Sequence, residues 1–232
     1  MKIGFFGKLP GYGDFIQRGV SPELISQWDN WMLQSLEVSN GQLGDDWQGI
    51  YFNSPIWRFC ADALLFSKSS DSLAGAVTGV MMPSIDNCGR AYPFAVLCQT
   101  GQAVNLFNLS QKVDDLHAQC EDFILDLLDK KRPDLDEIAN VLNQIYAPLK
   151  EYDCQDVQLT ETSSVGELCR LSDNILNDMS KCHNTFLQNA ILSKDMRLSI
   201  WSMAGTTNLA PQQRYYSGLP PADMFSSLLR GV

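Results

Sequence analysis

The chain has 232 residues, 45% of them hydrophobic and 19% charged, a composition that excludes wholesale disorder and collagen-like or low-complexity architectures. Seventeen Lys and Arg stand against 27 Asp and Glu, a net charge of −10 that opposes general attraction to nucleic acid or anionic lipid. The longest strongly apolar stretch, Leu73 to Met82, contains Gly75, Thr78 and Gly79 and is about half the length needed to cross a bilayer, and the apolar opening turns to Gly/Pro punctuation too early for a secretory signal.

In chain order, Lys2 to Phe6 reads as a short strand followed by the turn residues Gly7, Pro10, Gly11 and Gly13. Ser21-Pro22-Glu23 opens a helix, with Ser21 as cap, Pro22 at the first helical position and Val20 stapled to Ile25. Its inner face carries Ile25, Trp28, Met32 and Leu36, widened by Trp31. A second short helix is expected from Leu43 to Tyr51. Ala74 to Met82 and Tyr92 to Gln99 are β-branched or aromatic runs bounded by turns and read as strands. The connection Pro83 to Arg90 has hairpin composition, which makes an antiparallel pair the simplest arrangement.

From Gln111 the period becomes helical, with Val113, Leu116, Cys120, Phe123 and Leu127 on one face. Asp114 and Asp115 start this helix and Lys130, Lys131 and Arg132 close it, as the helix dipole prefers, so the basic run reads as a cap and not a binding patch. Asp134 with Glu137 starts another helix that stops before Pro148, and Ser164 with Glu167 starts a third, faced by Leu168, Leu171, Ile175, Met179 and Cys182. Leu198 to Met203 reads as a returning strand and Pro221 to Leu229 as a closing helix. The sum is an α/β fold of the α+β kind, a central, largely antiparallel sheet flanked by helices, with Trp28, Trp57 and Val80 to Met82 expected in one core and Pro83 read as a structural core residue.

Charge divides the chain. Residues 1–100 carry 6 basic and 9 acidic groups, residues 101–195 carry 8 and 17, and residues 196–232 carry 3 and 1. All five tryptophans lie in the two end regions. A single domain over 1–232 is expected, with a motif-rich sheet core in 1–100, an acidic helical region in 101–195, and the returning strand and closing helix in 196–232.

Seven dispersed cysteines without a C-x-x-C pair fit a reducing cytoplasm, and Cys98 and Cys120 sit where small buried hydrophobes belong. His117 and His183 have no Cys or carboxylate at zinc-site spacing, so no metal site is expected. The opening GFFGKLPGYGDF invites a phosphate-loop reading, but Leu9 follows Gly7-Lys8 where Ser or Thr is needed, and Ile16 stands where the dinucleotide fingerprint needs glycine. There is no G-x-S-x-G elbow, and Ser84 after Pro83 reads as a turn hydroxyl. What stands out is a set of polar residues among aromatics and turns: Lys8, Tyr12, Asp14, Arg18, Arg58, Ser84, Asp86 and Arg90. They read either as loop-to-loop ion pairs, which Arg forms well, or as a binding site, and the turns bearing Asp14, Arg18, Asp86 and Arg90 are expected to lie together at one end of the sheet, with Arg18 and Asp86 as candidates for direct coupling. Arg neighbours would lower a carboxylate pKa and so oppose acid catalysis. The Gly/Pro loops are expected to display Lys8, Tyr12 and Arg90 around an aromatic core, a setting suited to recognition.

Phe5-Phe6-Gly7-Lys8-Leu9-Pro10, Gly13-Asp14-Phe15, Arg18-Gly19, Trp28 and Trp31 resemble the opening of the type VI secretion-associated TagF family. The resemblance continues through Ser54-Pro55-Ile56-Trp57-Arg58-Phe59 and is most specific over Gly79-Val80-Met81-Met82-Pro83-Ser84-Ile85-Asp86, Gly89-Arg90 and Tyr92-Pro93-Phe94, with an echo at Trp201 and Gly218-Leu219-Pro220. Tyr12 stands where the family often has Arg or another polar residue. The resemblance implies a longin- or profilin-like sandwich and a cytoplasmic accessory protein of the type VI secretion system, a post-translational repressor that binds a forkhead-associated-domain scaffold without cofactors. An enzyme or sensor for a nucleotide or phosphorylated ligand, and a structural subunit of the machine, are the other readings.

Overall fold

The computed structural model describes residues 1–67, 75–101, 104–151 and 197–231. Seven strands form one antiparallel sheet: β1 (Lys2–Gly7), β2 (Ile16–Arg18), β3 (Trp57–Asp62), β4 (Ala76–Met82), β5 (Phe94–Gln99), β6 (Leu198–Met203) and β7 (Gln212–Ser217), in the order β2-β1-β5-β4-β3-β6-β7. Among the described residues, six helices cover its faces: α1 (Pro22–Leu43), α2 (Trp47–Phe52), α3 (Leu106–Lys112), α4 (Asp114–Asp129), α5 (Leu135–Ile145) and α6 (Phe225–Arg230). The expected β4–β5 hairpin is present, with Met82 opposite Phe94 and Thr78 opposite Cys98.

α1 begins as its sequence dictates. Ser21 is the cap and its Oγ accepts the Leu24 N–H at 3.3 Å, with Pro22 at the first helical position. Asp134 caps α5 through the N–H groups of Asp136 and Glu137, both at 2.9 Å. The short helix predicted from Leu43 is a 3-10 turn at Gly44–Asp46 leading into α2, and the closing helix likewise has a 3-10 turn, Ala222–Met224, before α6. The predicted helix from Ser164 to Cys182 lies outside the described residues.

Period-two alternation along the strands sends side chains to two separate cores. Trp57, Phe59, Val77, Met81, Leu97 and Trp201 pack with Trp28 and Met32 of α1 and Phe225 of α6. Cys60, Val80, Met82, Val96 and Cys98 pack with Leu116, Cys120, Ile124 and Leu142 on the opposite face. One expectation is corrected here: Trp28, Trp57 and Met81 share a core, but Val80 and Met82 point to the other one. The first core is aromatic, with Phe59 stacked on Trp201 at 5.0 Å and Trp28 tilted on Phe59 at 5.1 Å.

Candidate functional site

Three loops meet at the end of the sheet where β1 leaves and β5 begins, and the Asp86 carboxylate binds two of them together. Its Oδ1 accepts the backbone N–H groups of Cys88 and Arg90, both at 2.9 Å, which shapes the turn between β4 and β5. Its Oδ2 accepts Arg90 Nε at 2.7 Å and Lys8 Nζ at 3.0 Å. Arg90 continues through Nη2 to the Gly13 carbonyl at 2.7 Å, and the Asn87 N–H donates to the Tyr12 carbonyl at 2.9 Å. The third loop joins through Tyr12, whose hydroxyl donates to the Pro133 carbonyl and whose ring lies 5.2 Å below the Arg132 guanidinium. Gly11 permits this contact, because a Cβ there would lie 2.5 Å from the Lys131 carbonyl oxygen.

Aromatic residues floor the same region. Phe15 stacks on Phe6 at 5.3 Å, meets the edge of Tyr92 at 4.6 Å and carries Lys8 Nζ 5.0 Å from its centroid. Tyr92 donates to Asp29 of α1 at 2.8 Å. Tyr51 of α2 donates to the Ser84 carbonyl and accepts the Ser84 N–H, clamping the turn from below. The Ser84 hydroxyl, expected to act in the turn, is buried and makes no hydrogen bond among the described residues. Pro83, read from the sequence as a core residue, is only partly covered, because it lies just past the end of β4 where the chain turns away from the sheet.

Burial pushes the Asp86 carboxyl up, but the hydrogen bonds from the Arg90 N–H, the Lys8 ammonium, the Arg90 guanidinium and the Cys88 N–H outweigh it and hold the group well below the usual carboxylate range. Asp86 is therefore an anion that organises loops, and its stabilising effect is lost only as pH falls below the ordinary carboxylate pKa of about 4.

Several sequence expectations are corrected by this geometry. Lys8 is not displayed by its loop: its side chain is 7% exposed and held by Asp86. Arg18 does not pair with Asp86, because its Nε bonds Asp136 of α5 at 3.0 Å. Asp14 is exposed and accepts the N–H of Phe15 at 2.8 Å. Arg58 belongs to neither turn; from β3 it reaches Glu121 through two bonds of 2.7 Å and Asp114 at 2.6 Å, fastening α4 to the sheet. We expect Lys8→Met and Asp86→Ala to be strongly coupled in a double-mutant cycle of unfolding, and Arg18→Ala and Asp86→Ala to be additive; additivity of the first pair would contradict the arrangement.

Beside Arg58 lies a buried polar row that sequence reasoning missed. Thr78 Oγ1 donates to the Phe59 carbonyl at 2.8 Å, so its one hydrogen is used. Its oxygen must then accept from His117 Nε2 at 3.0 Å and from the Cys60 thiol at 3.1 Å, which assigns the His117 proton to Nε2. Burial, with a smaller effect from Arg58, lowers the His117 pKa to about 3, and burial pushes the Cys60 thiol up to about 12, leaving it inert. The unfolded chain takes up a proton near pH 6.5 that the folded chain refuses until about pH 3, so stability falls as pH drops through that window, by up to about 1.4 kcal/mol per pH unit. The His117→Gln variant is expected to flatten the dependence of unfolding free energy on pH between 6.5 and 5; an unchanged slope would count against a neutral buried His117.

Among the described residues no group of His, Cys, Asp or Glu is placed to hold a metal ion, and no helix is long and apolar enough to cross a membrane. The loop cluster lies within the stretch of the chain that the model of the TagF N-terminal domain, type VI secretion system-associated, matches, residues 4–145. The chain belongs to the TagF family. A solved relative in structure is PA0076 from Pseudomonas aeruginosa PAO1, whose crystal structure is 28% identical, covers 99% of this chain and 94% of its own, and superposes with a TM-score of 0.71. Comparison with curated proteins gives no match. The TagF N-terminal region ends at α5, whereas the sheet also takes in β6 and β7, so the family segment is completed by strands beyond it.

Proposed function

We propose that this TagF-family chain is a cytoplasmic accessory protein that restrains type VI secretion after translation by binding a forkhead-associated-domain scaffold of the machinery. The family match over residues 4–145 carries this reading. The loop cluster supports it as a recognition edge: Lys8 and Asp86 are buried and fix the backbone, while the Phe15 ring and the Arg90 side chain stand 40% and 59% exposed at its rim. Aromatic and Arg side chains held on a rigid base lose little freedom on docking and are frequent interface anchors.

Binding without turnover also fits the chemistry. Asp86 is held as an anion by three neighbouring residues, and neither it nor Ser84 has a base and acceptor arrangement for acyl or phosphoryl transfer. Affinity capture of the scaffold from host cytosol, before and after the machine assembles, tests the proposal. Capture before assembly alone fits a repressor; recovery only within the assembled machine would support the structural-subunit reading, and sustained nucleotide hydrolysis lost in Asp86→Ala would support the enzymatic one.

A further inference from the structure

The helical layer opposite α4 carries an exposed face that the loop cluster does not use. Along α1 the solvent-facing positions Asn30, Leu33, Gln34, Glu37, Val38 and Gly41 recur at helical spacing and form one stripe. Leu33 is 50% exposed and Val38 37%. One turn after Val38, Gln42 bonds the Asp223 carbonyl at 2.9 Å, which brings the 51% exposed Met224 to the flank of the same stripe.

Two features of this face leave it suited to an occupant. Gly41 lies in the last turn of α1 with open space around it, so no neighbour in the described structure requires the missing side chain, although glycine weakens a helix relative to alanine. The electrostatics are also one-sided. From residue 19 to residue 57 the sequence has no Lys, Arg or His, and of its five carboxylates Glu23 and Asp29 bond Ser67 and Tyr92 away from the stripe, leaving Glu37, Asp45 and Asp46; the last turn of α1, where the helix dipole favours a cation, has none. Glu37 lies on the stripe, exposed Asp45 and Asp46 follow the helix end, and Asp46 makes no side-chain capping bond to α2. Both features suit the same occupant, one that brings positive charge to the end of α1 and packs closely over Gly41 between Leu33, Val38 and Met224.

We propose that this face of α1 is a second docking surface, which binds a cationic amphipathic helix of a partner protein. Apolar side chains of that helix cover Leu33, Val38 and Met224, its Lys and Arg meet Glu37 and the carboxylates after Leu43, and its backbone approaches at Gly41. This goes beyond the loop-cluster reading and does not depend on the identity of the scaffold.

The test uses the full chain and an amphipathic Leu/Lys helical peptide as probe, titrated by calorimetry at two salt concentrations. Wild type is expected to bind saturably and more weakly at higher salt. Leu33→Asp with Val38→Asp, and separately Glu37→Lys, are expected to weaken binding at least about tenfold. Gly41→Gln is expected to weaken binding while its Tm stays level or rises, a combination that a purely structural glycine would not give. A control on the other acidic helix, Asp122→Lys with Asp126→Lys on α4, is expected to leave binding within about threefold of wild type. Absence of peptide binding, retention of wild-type affinity by the α1 variants, or an equal loss in the α4 control would each overturn the proposal. Failure of the scaffold to bind the wild-type chain would bear on the loop-cluster reading alone.

Discussion

Replacing Trp57 with alanine is expected to lower the unfolding free energy by about 3 to 5 kcal/mol, as for other large buried aromatics. Trp57 is 1% exposed at the centre of the aromatic core. Its Nε1 donates to the Leu228 carbonyl of α6 at 3.0 Å, and Arg214 of β7 lies 5.0 Å above its ring. The substitution therefore opens a cavity, removes the indole bond to a carbonyl that keeps only the Gly231 N–H, and loosens both the closing helix and the outer strand. A urea titration checks this: the midpoint should fall, and an unchanged midpoint would mean that this core is not what holds the C-terminal elements on the sheet.

Breaking the ion pair beneath α4 should cost a comparable amount. In Arg58→Met the Glu121 carboxylate, 14% exposed, loses both of its guanidinium bonds, and a stranded charge of this kind typically costs about 3 to 5 kcal/mol. The double replacement Arg58→Met with Glu121→Leu removes the charge together with its partner and is expected to recover most of that loss. If the double variant is as unstable as the single one, Arg58 stabilises the protein through something other than this pair. The contrast with Trp57 reflects the two faces of the sheet: α1 and α6 adhere by aromatic packing, whereas α4 is held by apolar contacts together with a buried row of Arg58, His117 and Thr78.

The elements legible in the sequence were those with strong local signals. Ser21-Pro22 fixed the start of α1, the spacing of Leu116, Cys120 and Leu127 identified α4, and turn residues between two apolar runs identified the β4–β5 hairpin. The edge strands were not legible. β2 has three residues, and β7 reads Gln-Gln-Arg-Tyr-Tyr-Ser, with mixed exposure in place of a clean alternation. α3 was also missed, although Asn105 caps it through the Phe107 and Asn108 N–H groups, because a break at Val113 separates it from the stronger periodicity of α4.

Within the candidate site, the sequence singled out Lys8, Tyr12, Asp86 and Arg90, and these do meet. It could not assign their partners, because pairing across 78 positions, as between Lys8 and Asp86, leaves no local trace. The same limit separated Lys130 to Arg132 from Tyr12: a basic run at a helix end has a sufficient local explanation, and only the fold brings Arg132 over the Tyr12 ring. Arg58, one of the polar residues set among aromatics and turns, does not join the turn cluster, because alternation along β3 sends it to the face opposite Trp57.

Under the proposed function, this chain binds a scaffold through the loop end of the sheet. Calorimetric titration of the purified chain with the purified forkhead-associated-domain protein of the same secretion system tests it most directly, using wild type, Phe15→Ala and Arg90→Ala. Saturable binding by wild type, with affinity reduced at least about tenfold in both variants while each remains folded, is the predicted result. No binding by wild type, or full affinity in both variants, would contradict it.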